Sequence, residues 1–303
     1  MSDNNLPIVD AHQHFWDLSL GRHPWLQGAA PTAFRYGDTL PLRRNYLPAD
    51  YRRDCGSHRI AKTVYIEAEW DPRDPSGEMH WVSALAAAEG LPNAAVAQAW
   101  LDRSDVADIL AAHAAIPLVR GVRHKPRAAP SPSAVVHGAP GSMGDPAWRA
   151  GYALLEQHGL HFELQTPWWH LQDAAELASA YPRTQIVLNH TGLPSERSAA
   201  ALSGWRAGLR ALADCPNAVL KVSGLGLPGQ AWRVSDNAPV VLEAIALFGV
   251  QRCMFASNFP VDGLVATLAS IFDGFKAIVA DFDAGARAAL FHDNAMRVYR
   301  LGD

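Results

Sequence analysis

Along the chain, short apolar runs that end in polar residues alternate with longer Ala/Leu-rich stretches. The first run opens at Ile8 and carries His12 and His14. The others fall at 63–68, 94–100, 118–124, 160–165, 185–189, 218–223 and 253–256. Stretches at 78–89, 104–114, 146–158, 171–181, 198–213 and 238–248 read as the intervening helices. Strands alternating with helices imply parallel pairing through crossover connections. Eight such units in 303 residues predict a (β/α)8 TIM barrel, α/β in class, as a single domain over 1–303 with long βα loops. An open doubly wound sheet is the alternative, but no G-x-G-x-x-G or phosphate loop follows any run.

Two segments break the alternation. From the first strand to about residue 58 the chain is rich in Trp16, Trp25, Phe34, Tyr36 and Tyr46, with Gly and Pro between them. It reads as an ordered loop, either a packed surface flap or an aromatic wall over a pocket. The second is the Pro/Ser/Gly-rich segment 126–146, which a barrel places on its catalytic face and which reads as a lid first, with a floppy insertion as the alternative.

Composition narrows the picture. Hydrophobic residues make up 49% of the chain, enough for a large core, and the net charge is −4 with no Lys/Arg run. Nucleic acid and anionic membranes are therefore not expected partners; a small molecule is, and a homo-oligomer is compatible. The start is polar and acidic and no long apolar segment occurs, so no signal peptide or membrane span is expected. Three cysteines, Cys55, Cys215 and Cys253, are widely spaced and form no C-x-x-C, which fits a reducing cytoplasm.

Barrel active sites lie at the C-terminal ends of the strands, so the run ends are a test of the reading. They carry His12 and His14, Glu67 and Glu69, Trp100, Arg123 and His124, Gln165, His190, Ser223 and Asn258. Alternate strand residues share a face, so His12 and His14 point together, with Cα atoms about 6.6 Å apart at the usual rise. Two imidazoles at that spacing can converge on one ion or anionic group. Glu67 closes an apolar Val-Tyr-Ile run, whereas Glu69 is expected to be solvated. Arg123, nearer the strand end than Arg120, can grip a carboxylate in a fork. His190 ends an apolar strand before a tight turn and is a candidate general acid/base or ligand. His158, His161 and His170 share no spacing into the barrel and are read as structural.

Taken together, Asp10-Ala-His-Gln-His-Phe-Trp16, Gly121-Val-Arg-His124, Val187-Leu-Asn-His-Thr-Gly192, Cys253-Met-Phe-Ala-Ser-Asn-Phe-Pro260 and Asn294-Ala-Met-Arg-Val-Tyr299 resemble the amidohydrolase superfamily. The likeness is to its amidohydrolase-related branch, which holds sugar-lactone and pyrone-dicarboxylate lactonases. The resemblance implies hydrolysis of a lactone of a sugar acid or aromatic-ring breakdown product. Water would attack the carbonyl with Glu67 or His190 as base, and His190 could later protonate the leaving oxygen. His12 and His14 would stabilise the oxyanion, and Arg123, His124, Gln165 and Trp100 would bind substrate. Some members use a divalent metal and some lactonases work without one. An ion here, zinc preferred, would fall to His12, His14, His190 and Glu67. In the family's pattern the position of Asn258 is usually acidic, and an amide takes no proton from water at neutral pH. Glu67 or His190 is the substitute base; Asp262, four residues on, could also swing in, although a solvated loop position is expected for it. The same superfamily includes metal-dependent decarboxylases, and the loss of the acid at Asn258 also raises a binding protein without chemistry.

Overall fold

A computed structural model describes residues 6–28 and 34–302. The strands are β1 (Ile8–Gln13), β2 (Ile60–Ile66), β3 (Ala94–Gln98), β4 (Val119–Arg123), β5 (His161–Leu164), β6 (Ile186–Leu188), β7 (Ala218–Val222) and β8 (Cys253–Phe255). They lie side by side in that order and every pairing is parallel, with helices on the outside, as a (β/α)8 barrel requires. From β3 onward the apolar runs are longer than the strands. Trp100, His124, Gln165, His190, Ser223 and Asn258 all lie beyond the last paired residue, in βα loops whose backbone is free to aim them.

The helices follow the Ala/Leu-rich stretches with local adjustments. Helix Ala199–Ala213 begins where the Ser198 side chain accepts from the Ala201 N–H. The 146–158 stretch is broken: helix Pro146–Ala153, capped by Asp145, gives way to a 3-10 turn at Glu156–His158. Helix Leu268–Ile278 was not anticipated, although Thr267 and Ser270 form a capping box at its start. Among the described residues no helix is long and apolar enough to cross a membrane. Cys55, Cys215 and Cys253 are buried and unbridged.

Closure between β8 and β1 depends on side chains as much as on a ladder. The Asn258 N–H donates to the His12 carbonyl and the His14 N–H to the Phe259 carbonyl, each at 2.8 Å. Buried Asp10 on β1 accepts from the Ser257 N–H at 2.8 Å and its hydroxyl at 2.6 Å. The same carboxylate accepts the Tyr51 hydroxyl at 2.8 Å, which ties helix Pro48–Asp54 to the seam.

The barrel interior is divided. On the side of β1, β2, β3 and β8 it is aliphatic, with Val9, Val64, Ile66, Val96 and Met254 in one cluster. That cluster runs down to Val298, Tyr299 and Leu301, which cover the bottom. The side of β4 to β7 shares that cluster through Val187 and Val219 but adds buried polar residues: Arg123, His161, Glu163, Asn189 and Lys221.

The 126–146 segment is not a lid over the mouth. It lies against the β5 side, where the Ala129 N–H donates to His170 Nε2 and the Trp169 indole donates to the Ala129 carbonyl. His137 and His170 both meet Asp173, at 2.7 and 2.9 Å. These contacts pull the segment sideways onto helix Leu171–Ala180 and away from the mouth.

Candidate active site

Three imidazoles converge at the end of β1. His12 Nε2 lies 3.2 Å from His14 Nε2, and the His12 and His190 ring centres are 4.6 Å apart. A register shift between Asp10 and Gln13 turns the strand end so that the two rings meet edge to face. His14 Nδ1 donates to the Ile66 carbonyl at 2.8 Å. Burial, then Arg123, lowers His14 to about 3. Burial followed by Lys221 holds His12, and burial followed by Arg35 holds His190, well below the usual imidazole range. All three are neutral at neutral pH.

His190 sits in a left-handed conformation, φ 54°, with Nδ1 3.0 Å from the Ser223 hydroxyl. Gly224 makes room for it: a Cβ there would stand 2.6 Å from the ring. Glu69, Thr191, Leu193 and Asn258 are also left-handed, so five of the six described non-glycine residues with positive φ lie at the mouth. Such positions cost of order 1–3 kcal/mol each and persist where surrounding contacts hold them, as at a functional site.

The charged groups are paired. Glu67 accepts from Arg123 Nε at 2.5 Å and from the Glu69 N–H at 2.9 Å. Burial would raise the Glu67 carboxyl, but Arg123 and then Lys125 hold it below its ordinary value. It is a poor base. Arg123 also reaches the Glu67 carbonyl at 2.7 Å and Gln165 Oε1 at 3.3 Å. Glu69 pairs with Lys125. Asp262 is 1% exposed, not a solvated loop residue. It accepts from Asn258 Nδ2 at 2.5 Å and stands 3.8 Å from Arg35, because a 3-10 turn at Val261–Leu264 folds it inward. Burial lifts its carboxyl to about 6, against the opposing pull of Arg35.

Above these groups opens a cavity of about 360 Å³ at the C-terminal ends of the strands, lined by His14, Glu67, Glu69, Arg123, Lys125, Gln165, His190 and Asn258. Trp16, Trp25 and Phe34 wall one side. His12 and Asp262 lie just beneath the lining, touching it through His14 and Asn258. Two expected binding residues are elsewhere. His124 Nδ1 accepts from the Leu101 N–H and the Trp148 indole, so its ring is turned into helix packing. Trp100 lies under the Arg103 guanidinium, 5.3 Å from its ring centre, and does not line the cavity. Arg35 and Lys221 were missed. Arg35 sits in an aperiodic loop that gives no signal. Lys221 interrupts the apolar run 218–223, and a charge inside a buried strand is a usable one.

As arranged, the donors do not fit a resident divalent ion. The Lys221 ammonium faces His12 Nδ1 at 3.5 Å, which leaves the proton on Nε2, the atom a metal would need. Glu67 is engaged by Arg123, and Asn258 brings no charge. Among the described residues, no three or more His, Cys, Asp or Glu side chains are grouped to hold an ion.

Comparison with known proteins agrees with the geometry of the fold. A Sinorhizobium fredii protein, the uncharacterized protein y4mH, is 38% identical over 99% of this chain and 100% of its own length. The L-fucono-1,5-lactonase of Burkholderia multivorans is 28% identical, covering 97% of this chain and 96% of that one. A crystal structure of a B. multivorans amidohydrolase with bound HEPES superposes with a TM-score of 0.78 at 25% identity, over 97% of this chain and 99% of that one. A second crystal form, with bound zinc, gives 0.77 at the same identity and coverage. The amidohydrolase family model matches residues 9–301, so this chain belongs to the amidohydrolase family.

Proposed function

We propose that the chain hydrolyses a neutral lactone of a sugar acid, opening the ring by attack of water at the barrel mouth. The observation that carries this reading is the charge balance of the cavity. Each cation among its described lining residues faces a carboxylate: Arg123 faces Glu67, Lys125 faces Glu69 and Arg35 faces Asp262. A substrate carboxylate would meet no uncompensated cation, and displacing Glu67 from Arg123, the pair buried on both sides, would cost about 3–5 kcal/mol. A hydroxylated neutral ring asks only for hydrogen bonds, which Gln165, His190 and Asn258 offer, and for an apolar wall. The lactonase relatives support the reaction class.

In this reading neutral His190, oriented by Ser223, takes a proton from water as the water oxygen bonds to the lactone carbonyl carbon. Arg123 has five N–H groups and three are engaged, so two remain for the developing oxyanion. That role does not fall to His12 and His14, because both His14 nitrogens are occupied and His12 is covered. Collapse breaks the ring C–O bond, and His190 returns its proton to the departing oxygen, giving the hydroxy acid. Asp262 holds the Asn258 amide and Arg35 in place. The carbon–carbon lyase alternative needs a tightly held ion, for which this donor set is not arranged.

The test is a panel of neutral sugar lactones and carboxylated pyrone lactones, followed by acid release. Neutral rings should be opened with kcat/KM at least about 10²-fold above carboxylated ones, the factor that a loss of about 3 kcal/mol implies. His190→Ala should lower kcat by about 10²–10⁴ while the circular dichroism is retained. A preference for carboxylated rings would overturn the substrate assignment, and turnover of none would favour a binding role.

A further inference from the structure

Beneath the histidine pair, inside the barrel, lies a charged group that the proposed reaction leaves unused. Lys221 is fully buried on β7, where an ammonium is tolerated only if its N–H groups are met. Its Nζ lies 2.8 Å from Glu163 Oε2 and 3.5 Å from His12 Nδ1. It also stands 5.2 Å from the centre of the Tyr299 ring. Three N–H groups meet a carboxylate, a ring nitrogen and a π face. Glu163 is held in turn by the Tyr299 hydroxyl at 2.6 Å and by Asn189 Nδ2, so the anion cannot turn away.

This arrangement sets the direction of every hydrogen bond up to the cavity, and the argument runs from both ends. From below, an ammonium cannot accept, and it repels an N–H. His12 Nδ1 must therefore present its lone pair, which puts the His12 proton on Nε2. From above, the Ile66 carbonyl can only accept, so His14 carries its proton on Nδ1 and presents a lone pair at Nε2. The two requirements meet at the 3.2 Å contact, where His12 Nε2–H donates to His14 Nε2. Had either end been reversed, two protons or two lone pairs would face each other there.

We infer that Lys221 is a positioning residue for the histidine pair: from inside the barrel its ammonium fixes the His12 tautomer, and through it the orientation of the His14 ring at the cavity wall. The kinetic part of the test rests on the proposed lactone hydrolysis; the spectroscopic part does not. Long-range proton–nitrogen correlation spectra of histidine-labelled protein report each tautomer, assigned by signals lost in His12→Gln and His14→Gln. The expected spectrum has His12 protonated on Nε2 and His14 on Nδ1. Lys221→Met alone strands Glu163, so the partner variant is the double Lys221→Met/Glu163→Gln, which removes both charges together. In it only the His14 lone pair still favours the Nε2–H form, so a measurable His12 Nδ1–H population should appear beside it. kcat on the best lactone of the panel should fall about 10–100-fold, with KM within about twofold, the signature of a misplaced group. A wild-type His12 protonated on Nδ1 overturns the inference whether or not the variant folds. So does a folded double variant with unchanged tautomers and kcat. If no lactone is turned over, the spectra still decide.

Discussion

Asn258 and Asp262 act as one unit at the site. Asp262 stands four positions after Asn258, and a 3-10 turn returns it beneath the amide. Its carboxyl, lifted to about 6 mainly by burial, loses its charge at mildly acidic pH and with it the pairing to Arg35. kcat/KM should fall with an apparent midpoint near pH 6 in the wild type. In Asp262→Asn it should be lower, by about tenfold, and without that acid limb. The stability sign is opposite. A carboxyl raised from 3.8 to about 6 binds its proton more tightly when folded, so its contribution is present below 3.8 and lost as pH rises through 6. Asp262→Asn should therefore unfold at higher denaturant at pH 7.5, by on the order of 1–3 kcal/mol, as urea titration would show. An unchanged pH profile in the variant would assign the limb to another group. The alternating pattern exposed His12, His14, Glu67, Arg123, Gln165 and His190, since the barrel rule says where strands end. Burial of Asp262 depended on a turn that periodicity does not encode.

Among the elements, the β8–β1 seam does most to place those residues. A ladder alone would leave the first and last strands to drift, but the Asp10 carboxylate collects donors from Ser257 and Tyr51 across it. Asp10→Ala would strand two hydroxyls and an amide in a dry seam. A loss of about 2–4 kcal/mol in chemical denaturation is expected, with a larger effect on kcat than on KM, because His14 and Asn258 flank the seam. A stability loss under 1 kcal/mol would mean that the backbone contacts close the barrel unaided. Strand order and the positions of most helices were legible from periodicity, though not helix Leu268–Ile278. The shorter strands were not, because apolar residues continue into the βα loops.

For the molecule as a whole, the division of labour among loops differs from what loop length suggests. The longest Pro/Ser/Gly-rich loop is strapped to helix Leu171–Ala180, while the wall of the cavity comes from Trp16, Trp25 and Phe34 after β1. Replacing residues 131–138 by a short Gly/Ser link should leave KM within about twofold, whereas Trp25→Ala should raise it about tenfold or more, the loss of one buried aromatic contact. The reverse ranking would restore the longer loop as a lid. Composition pointed to the loop but could not say which way it folds, since His137 and His170 reach Asp173 from distant positions. Tyr299 adds a matter of timing. All eight strands exist once Phe255 has been made, yet the hydroxyl and ring that steady Glu163 and Lys221 arrive more than forty residues later. A nascent chain paused on the ribosome before residue 299 would hold a complete cylinder whose Lys221–Glu163 pair still lacks the Tyr299 hydroxyl and ring. Catalytic competence should then lag behind the appearance of secondary structure during synthesis.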